Sequence, residues 1–420
     1  MTEGNMSKLE KLIQQYCPDG VEYVRLGDVM SIQRGASPRP IQNYLTDDEY
    51  GIPWIKIGDV SIESKYITST KERVTKEGAA KSRFLKKGSF ILSNSMSFGR
   101  PYILEIDGCI HDGWISMCDF EKHLLPDFLY YLLRSSVVQD FWISKANSGG
   151  AVTNLNSDIV RSTLIPVPPL PVQEEVVRVL DTFTELQAEL QAELQKRKQQ
   201  YNFYRDNLLN FKDINRGGQE IKWMKLKDVA TQWYRGAGIK REEVSNEGMP
   251  CIRYGEIHTS YNIWFKDCIS HTDETKQATK KYAEYGDILF AITSEDIPLV
   301  GNSVAYLGKE KIMVGGDIVV MKHNQDPRYM AYALSTSDAI KQKGKGKVKS
   351  KVVHTNVPSL QEIVIPIPPM EEQQRIADIL DRFDTLTNDL TSGLPAEMEK
   401  RRQQYEFYRD KLLTFKRKEA

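Results

Sequence analysis

Apolar residues recur every three or four positions over two long stretches of the chain, and this spacing predicts two long helices. In the first stretch the residues between the apolar positions are Gln, Glu, Lys and Arg, which would face solvent. One position in the stripe is an arginine, which lowers stability but fixes the register of paired helices. From Gln173 to Lys212 such a helix would extend over roughly 60 Å. The stripe consists of Leu190, Leu194, Arg197, Tyr201, Tyr204, Leu208 and Phe211.

The first helical stretch is repeated near the end of the chain. Residues 165–186 recur 200 positions later, and 13 of the 17 residues in 196–212 recur 204 positions later. The four additional residues lie in Thr391–Pro395, where Gly and Pro are expected to break or kink the second helix. Because a helix with one apolar side needs a partner, we expect the two copies to pair antiparallel. In this pairing the tyrosines and leucines fill the seam, and in the second copy these are Tyr405, Tyr408 and Leu412. Arg401 occupies the same stripe position as Arg197, whereas Arg205 and Arg409 are expected to lie on the outside.

Each repeat helix follows a segment of short alternating patterns, which predict strands and helices. Motifs of the first segment recur in the same order in the second, as at 52–56 (IPWIK) and 249–253 (MPCIR). Pro126–Val138 and Pro327–Ala339 each predict one helix, followed by a Gly-rich or Lys-rich loop. We therefore predict an α+β protein in which two similar mixed α/β domains are joined and spaced by two long antiparallel, coiled-coil-like helices with pseudo-twofold symmetry. The predicted segments are an N-terminal helix (1–20), a first domain (21–170), a first spacer helix (171–212), a second domain (213–366) and a second spacer helix (367–420, broken near 391–395).

Composition limits the classes of protein to which the chain can belong. Lys plus Arg and Asp plus Glu both total 57, so only the distribution of charge, and not its sum, can favour a nucleic-acid partner. The five cysteines show no paired spacing, and no apolar run approaches the roughly 18 residues of a membrane span. We expect a cytoplasmic protein with no membrane partner. Nucleotide-binding, methyltransferase and metal-ligand motifs are absent from the sequence, which predicts no catalytic residue, metal or cofactor in this chain.

The order of domain, helix, domain and helix resembles the specificity subunit of type I restriction–modification systems. One feature of the resemblance is the duplicated Ile-Pro-x-Pro-Pro segment followed by Gln173 or Gln373. Another is the duplicated QQYxFYRDxLLxF segment at the end of each helix. The tandem repeats Leu186–Glu189 and Leu190–Glu193 are similar to the short repeats that vary in number in the central helix of this family. The resemblance covers nearly the whole chain.

The resemblance implies a non-catalytic DNA-recognition subunit. Each domain would be a target-recognition domain for one half of a bipartite, asymmetric sequence in double-stranded DNA. The helices would act as a spacer and as the docking surface for two methyltransferase (modification) subunits, which bind S-adenosylmethionine; restriction (translocase) subunits would add ATP- and Mg²⁺-dependent cleavage. Since one four-residue repeat lengthens a helix by about 6 Å, it would change the preferred DNA spacing by about one or two base pairs.

Basic and amide side chains in predicted loops are the candidates for DNA contacts. Alternating lysines between 341 and 351 would bind phosphates without sequence information, and a solvated loop is the alternative interpretation. Arginine pairs with guanine and asparagine with adenine, whereas Trp54 and Trp114 are expected in the core. The candidates are Arg34, Arg39, Asn94, Ser97, Arg100, Asn147 and Asn154 in the first domain, and Arg235, Lys240, Arg241, Arg253, Lys341, Lys343, Lys345, Lys347, Lys349 and Lys351 in the second.

Two other functions remain as hypotheses at this point. A stand-alone DNA methyltransferase or nuclease would act on DNA without a partner subunit. A coiled-coil scaffold without a DNA role would show no salt-sensitive binding of duplex DNA.

Overall fold

Two five-stranded sheets and one two-stranded sheet occur in each half of the chain with the same strand order. The computed structural model describes residues 6–61, 64–94, 98–146, 154–211, 221–347, 351–388 and 392–419. The chain divides into unit 1 (Met1–Glu189 with Glu399–Ala420) and unit 2 (Leu190–Met398). Each unit therefore combines one predicted domain with parts of both repeat helices.

The strands of unit 1 form two five-stranded sheets and one pair. They are β1 (Tyr23–Arg25), β2 (Ser31–Arg34), β3 (Leu45–Thr46), β4 (Ile52–Ile55), β5 (Tyr66–Ile67), β6 (Glu72–Val74), β7 (Arg83–Leu85), β8 (Phe90–Ser93), β9 (Pro101–Leu104), β10 (Gly108–Ile110), β11 (Trp114–Cys118) and β12 (Leu164–Pro166). The sheet orders are β2-β11-β8-β9-β5, β3-β6-β4-β10-β7 and β1-β12. The helices are α1 (Lys8–Tyr16), α2 (Leu26–Val29), α3 (Lys76–Ala80), α4 (Pro126–Leu133), α5 (Ser136–Ala146) and α6 (Ser157–Ser162), and α7 (Leu170–Leu208) begins in this unit.

Unit 2 repeats this arrangement strand by strand. Its strands are β13 (Lys222–Lys225), β14 (Ala230–Arg235), β15 (Val244–Ser245), β16 (Met249–Ile252), β17 (Trp264–Phe265), β18 (Ser270–Thr272), β19 (Tyr282–Ala283), β20 (Ile288–Ala291), β21 (Thr293–Ser294), β22 (Ser303–Tyr306), β23 (Ile312–Val314), β24 (Ile318–His323), β25 (Val353–His354) and β26 (Val364–Ile367). The orders β14-β24-β20-β22-β17, β15-β18-β16-β23-β19 and β13-β26 match those of unit 1, and β21-β25 is an additional pair. The helices are α8 (Leu226–Val229), α9 (Tyr254–Thr259), α10 (Pro327–Leu334), α11 (Ser337–Gly344), α12 (Val357–Gln361) and α13 (Met370–Asn388), and α14 (Leu394–Leu412) begins here and ends in unit 1. The prediction of two similar mixed α/β domains joined by long helices is confirmed.

The central strand β8 shows how the core of unit 1 is organised. Every residue of β8 is buried, and alternate side chains project from opposite faces of a strand. Phe90 and Leu92 pack in the cluster that contains α4, whereas Ile91 packs with Ile55 and Trp114 between the two sheets. The sheet is therefore covered by helices on one face and by the second sheet on the other, which explains why its strand is apolar throughout. Trp114 is buried there as predicted, and Trp54 is buried in a neighbouring cluster.

The repeat helices differ in continuity. Helix α7 is a single helix of 39 residues, whereas α13 ends at Asn388 and α14 begins at Leu394, with Pro395 in its first turn. Proline is favoured there because the first-turn N–H groups have no partner within the helix. In unit 1, Phe183 of α7 stacks on Tyr408 of α14. Within the described part of the chain, no helix is both long and apolar enough to cross a membrane.

The repeated Arg-Asp dipeptide of these helices explains a helix break that the sequence did not predict. Each segment predicted as one helix is two, α4 with α5 and α10 with α11. In unit 1 the N–H of Ser136, the first residue of α5, donates to Oδ1 of Asp410 (3.1 Å). In unit 2 the N–H of Ser337 is 3.3 Å from Oδ2 of Asp206. The predicted single helices are therefore corrected: in each pair a carboxylate of a repeat helix accepts from the first N–H of the second helix, and in unit 2 the side chain of Thr336 also caps α11.

A buried glutamine connects the start of each repeat helix to the domain before it. Oε1 of Gln173 accepts a hydrogen bond from the N–H of Leu125 (2.9 Å), and its Nε2 donates to the carbonyl of Pro168 (2.7 Å). Gln373 makes the same two bonds, to the residue before α10 and to the first proline of its own Pro-Pro pair. The duplicated Pro-Pro and Gln motif thus has a structural role in both units.

Replacing Gln173 with leucine is expected to lower the free energy of unfolding by about 2–4 kcal/mol, because it leaves buried backbone groups without partners. Denaturant unfolding followed by the tryptophan fluorescence of the chain, to which the buried Trp114 and Trp142 of unit 1 contribute, measures the change. The matched control is Gln191→Leu at an exposed position of the same helix. Equal losses in the two variants would contradict the assigned role.

Candidate nucleic-acid interface

Three candidates of the first domain converge on one residue, Asp112, in the turn before β11. Arg34 Nε donates to the carbonyl of Asp112 (2.9 Å), and Asn94 Nδ2 donates to the same carbonyl (3.0 Å). Arg39 Nη2 lies 3.2 Å from its carboxylate. Ser37 Oγ donates to Asp112 Oδ1 (2.8 Å). We call these five residues the first turn cluster.

The first turn cluster combines a fixed carboxylate with accessible guanidinium groups. The hydrogen bond from Ser37, more than that from Arg39, lowers the pKa of Asp112. The side chain of Arg39 is 83% exposed, so it can reach a phosphate or a base edge while its ion pair is largely screened. Asn94 is buried, and its amide N–H₂ is directed to the protein. The cluster therefore offers positive charge from Arg34 and Arg39, and Asn94 supports the turn rather than facing solvent.

Unit 2 has an equivalent cluster at the turn before β24. Arg235 Nε donates to the carbonyl of Gly316, and its Nη2 lies 2.7 Å from Oδ1 of Asp317. A Cβ atom on Gly236 would lie 2.1 Å from the carbonyl oxygen of Gly315. This close approach explains the Arg-Gly pair, which recurs with the same geometry at 34–35 in unit 1.

We call Arg235, Gly316 and Asp317, together with Arg253 directly after β16, the second turn cluster. The parallel pairing of β16 with β23 places their carboxyl ends at one edge, and the N–H of Gly315 donates to the carbonyl of Ile252 (2.9 Å). The equivalent residue after β4 in unit 1 is Lys56, which forms an ion pair with Glu72. The sequence prediction missed Lys56, although the alignment of IPWIK with MPCIR contained the signal.

Other candidates lie near these clusters or outside the described residues. Asn154 is exposed, and its neighbour Leu155 donates a backbone hydrogen bond to the carbonyl of Asn94 (2.8 Å). Lys240 and Arg241 are exposed in the segment after β14. Ser97, Asn147 and Lys349 lie outside the residues that the structure describes. The DNA contacts of all these residues stay predictions.

The alternating lysines do not form one continuous strip, which corrects the prediction for Lys343. Helix α11 extends to Gly344, so Lys341 and Lys343 point in opposite directions because two residues turn a helix by about 200°. Lys341 is exposed, but Lys343 is buried and its Nζ donates to the carbonyl of Leu334 (2.8 Å) and to Ser303 Oγ (3.1 Å). Among the lysines that the structure describes, the solvent-accessible ones are Lys341, Lys345, Lys347 and Lys351.

Lys343 occupies the position that Trp142 fills in unit 1. Both residues are the seventh of their helix and lie beside a glycine with positive φ, Gly99 or Gly301. Burial lowers the pKa of Lys343 to about 7, well below the value of roughly 10.4 for a lysine in an unfolded chain. Between these two pH values the unfolded state binds one more proton, so the contribution of Lys343 to stability increases as pH rises.

Replacing Lys343 with methionine is expected to raise the free energy of unfolding by roughly 2 kcal/mol below pH 7, because a buried charge is removed. The difference in the free energy of unfolding between this variant and the wild type should decrease as pH rises from 7 toward 10. Denaturant unfolding at a series of pH values measures it, with the exposed neighbour in Lys341→Met as control. A constant difference across this pH range would show that Lys343 does not titrate as inferred.

The repeat-helix candidates divide between the cores of the two units and their surfaces. Leu194 and Tyr201 are buried, and Leu190 and Leu208 are half-buried. Arg197 is exposed and pairs with Glu193 on the same helix. In unit 1, Tyr405 and Leu412 are half-buried against the domain core, and Arg401 is exposed.

The expectation that Arg205 and Arg409 lie on the outside was wrong. Both are buried, and each binds the aspartate that follows it, at 2.8 Å for Arg205 and 2.9 Å for Arg409. Each guanidinium also lies over a tyrosine four residues earlier, Tyr201 or Tyr405. These arginines orient the aspartates that cap α5 and α11.

The residues missed on the repeat helices are two exposed phenylalanines. Phe203 and Phe407 occupy the same position of the repeat, and each is 63% exposed. Each contacts the next tyrosine, Tyr204 or Tyr408, which stacks on a phenylalanine of the other repeat helix. Tyr204 is 42% exposed, so its predicted place inside the seam is corrected to the edge of the seam.

These side chains form one aromatic patch in each unit. In unit 2 all four side chains of the patch are exposed, namely Phe203, Tyr204, Phe383 and Leu386. In unit 1 the corresponding leucine, Leu186, is exposed as well. Phe203 and Phe407 lie outside the apolar stripe, and both copies of the repeat have phenylalanine at this position. This identity could have revealed the patch, because a side chain that does not pack between the helices needs another reason to recur. The first aromatic patch is Phe183, Leu186, Phe407 and Tyr408, and the second is Phe383, Leu386, Phe203 and Tyr204.

Two copies of one α/β scaffold, with different side chains around an equivalent turn, are each followed by a copy of the repeat helix, so the chain is a duplicated two-domain protein. The family model of the type I restriction modification DNA specificity domain matches residues 18–197 and 219–400. The chain belongs to this family, and its two domains are two copies of that specificity domain.

Relatives and a solved structure agree with this assignment. The chain is 30% identical over 322 residues to the Escherichia coli type I restriction enzyme EcoR124I/EcoR124II specificity subunit, covering 73% of this chain and 74% of that protein. It is 26% identical over 410 residues to the E. coli EcoprrI specificity subunit, covering 92% of each. A chain from a structural study of complex assembly and conformational transition in the type I R-M system has a TM-score of 0.68 and 17% identity, covering 94% of this chain and 97% of that one. The latter similarity concerns the fold.

Proposed function

We propose that this protein is the DNA-recognition subunit of a type I restriction–modification enzyme. Each target-recognition domain binds one half of a bipartite, asymmetric target in double-stranded DNA. Two methyltransferase subunits dock on the repeat helices, and restriction subunits join through them. The chain itself performs no catalysis; S-adenosylmethionine, and ATP with Mg²⁺, belong to the partner subunits.

The observation that supports target recognition most directly is that the two units share one arrangement of strands but differ in the residues of an equivalent turn. The strand order is the same in both units, whereas the residues at the turn before β11 and at the turn before β24 differ. Asp112 accepts bonds from two arginines and an asparagine in unit 1, while Arg235 binds Gly316 and Asp317 in unit 2. A constant scaffold with variable loops allows two different sequences to be recognised in the same way.

The clusters supply the chemistry that binding to a duplex requires. Arginine and lysine bind phosphates without sequence preference, and a guanidinium that reaches a guanine edge adds specificity. Because the chain has equal numbers of acidic and basic residues, the proposal depends on individual exposed arginines at these turns, Arg34 and Arg39 in unit 1 and Arg235 in unit 2. We expect the affinity for duplex to fall steeply with salt.

The two aromatic patches support docking of two copies of one partner. Each contains two phenylalanines, a leucine and a tyrosine at equivalent positions of the two repeats. Exposed phenylalanines surrounded by polar residues are typical of interface centres, where aromatic side chains contribute most of the binding energy. A partner present twice, as proposed for the methyltransferase subunit, matches a patch present twice.

The test of this function is methylome sequencing of cells that express the chain together with its methyltransferase. A gapped motif with two different halves is expected. A continuous or palindromic motif would contradict the proposal, and methyl transfer by the purified chain alone with S-adenosylmethionine would favour a stand-alone enzyme. A scaffold without a DNA role predicts no new methylation and no salt-sensitive binding of duplex.

A further inference from the structure

One histidine of unit 1, His111, lies beside the first turn cluster and contacts two separate segments of backbone. The backbone nitrogen of Gly113 lies 2.7 Å from Nδ1 of the ring, and the backbone nitrogen of Ile57 lies 3.3 Å from Nε2. Gly113 belongs to the turn before β11, whereas Ile57 lies just after β4. The imidazole therefore joins the turn that carries Asp112 to a second strand end.

The ring of this histidine faces more donors than it can bind. A neutral imidazole carries one proton, so only one of its two nitrogens can accept a hydrogen bond. The shorter distance assigns the acceptor to Nδ1 and the proton to Nε2. Nδ1 then holds the N–H of Gly113 two residues along the chain, as an asparagine side chain does in an Asx turn. A second proton, on Nδ1, would break this bond.

A carboxylate of the first turn cluster is the alternative partner of a protonated ring. Oδ1 of Asp112 lies 3.8 Å from Nδ1 of His111, and it already accepts the hydrogen bond from Ser37 Oγ. The other oxygen, Oδ2, accepts from Arg39 (3.2 Å). A charged imidazole would compete with Ser37 and Arg39 for this carboxylate. Since the main chain of Asp112 anchors Arg34, a change at the histidine reaches both arginines of the cluster.

The surroundings of His111 keep its ring neutral at pH 7. Burial lowers the pKa of His111 below its ordinary value, the charge of Asp112 opposes this, and the charge of Lys56 lowers the pKa further. The carboxylate of Asp59 acts in the same direction as Asp112. The ring centre also lies 6.3 Å and 6.1 Å from the ring centres of two buried tryptophans. Protonation therefore requires a pH below the ordinary histidine value of roughly 6.5.

The equivalent turn of unit 2 has glycine in place of this histidine. A Cβ atom on Gly35 would lie 2.0 Å from the carbonyl oxygen of His111. In unit 2 a Cβ atom on Gly236 would lie 2.1 Å from the carbonyl oxygen of Gly315. Both carbonyls belong to the residue three positions before their strand, β11 or β24. The turn therefore forms without an imidazole, and the histidine is a feature of unit 1.

We propose that His111 is a positioning residue for recognition of the first half-site, and that it acts only while its ring is neutral. This inference rests on the proposed function and names a residue through which the first turn cluster works. The neutral ring fixes the turn, and the turn fixes Arg34 and Arg39 relative to DNA. Protonation releases the turn, so the first domain discriminates less between its half-site and other sequences. Phosphate contacts persist, because they carry no sequence information.

The test uses the complex of the full chain with its methyltransferase and a duplex that carries the motif found by methylome sequencing. Two further duplexes have one half of the motif replaced, and the first half is the one that changes when residues 21–165 are exchanged. The ratio of the dissociation constants for altered and intact duplex measures discrimination at each half. For the wild type, discrimination at the first half is expected to fall at least tenfold from about pH 7.5 to about pH 5.5, because one misplaced arginine contact to a base has roughly this effect.

Two substitutions of His111 separate positioning from a merely structural role. His111→Asn keeps an acceptor for the N–H of Gly113 but does not titrate, so its discrimination at the first half should match that of the wild type at the higher pH and stay constant as pH falls. His111→Ala lacks the acceptor and should discriminate at least tenfold less throughout. The matched control is His123→Asn at an exposed position of the same unit, which should keep the wild-type pH profile. Thermal unfolding confirms that all four proteins are folded.

Discrimination at the second half should be the same in all four proteins at each pH. A constant ratio at the first half for the wild type, a wild-type pH profile in His111→Asn, or undiminished discrimination in His111→Ala would overturn the positioning role and leave the proposed function intact. An equal loss at both halves would do the same, since it indicates a general change of fold. Failure of the wild-type complex to discriminate at either half, at any pH, would contradict the proposed function and this inference with it.

Discussion

Simultaneous replacement of Phe203 and Phe407 by alanine is expected to weaken the binding of both methyltransferase subunits, so that neither stays bound at concentrations that saturate the wild type. Each single variant should bind one subunit, and the wild type two, because each phenylalanine belongs to a different aromatic patch. An interface residue of this kind contributes about 2 kcal/mol or more, so each lost site should weaken at least 30-fold. Native mass spectrometry of the chain mixed with its methyltransferase measures the number of bound subunits.

The stability of these variants should be close to that of the wild type, because Phe203 and Phe407 are both 63% exposed and belong to neither core. Tyr50→Ala with Tyr285→Ala is the matched control, since it removes two exposed aromatic side chains outside the patches. Two methyltransferase subunits bound to the double phenylalanine variant with undiminished affinity would remove the patches from the proposed docking surface.

Exchange of residues 21–165 for the same segment of a relative is expected to replace one half of the methylated sequence and to leave the other half unchanged. The ends of this segment are neighbours, because β1 pairs antiparallel with β12 and Val24 lies opposite Ile165. The exchange therefore removes the first turn cluster as one folded piece. Methylome sequencing of cells with the chimera and its methyltransferase identifies the new motif.

The reciprocal exchange, of residues 222–366, should alter only the other half, since β13 and β26 close the second domain in the same way. Both chimeras need Asp206 and Asp410, which cap α11 and α5 from the repeat helices, and neither exchanged segment contains them. A chimera in which both halves of the motif change would show that the two domains do not recognise DNA independently.

Prediction from the sequence was incomplete for charged side chains that are buried by contacts with other residues. Helical spacing placed Leu194 and Tyr201 in the seam, where they are buried, but it could not show that Arg205 and Arg409 are buried too. In the structure each of them binds the aspartate at the next position and lies over a tyrosine four residues before, while the surrounding domain covers it. Likewise, alternation of lysines indicated a charged surface, and only the end of α11 at Gly344 determined that Lys343 points into the core.

The sequence by itself determined the duplication, the class of fold and the family, because repeats and hydrophobic periods depend on residues that are close in the chain. It also located the break in the second repeat helix, since glycine and proline act on the local backbone. Only the tertiary structure decided which polar residues meet. Arg34, Arg39 and Asn94 converge on Asp112, and Arg100, Arg134 and Arg409 line one pocket, because strands and helices that are distant in the chain bring them together.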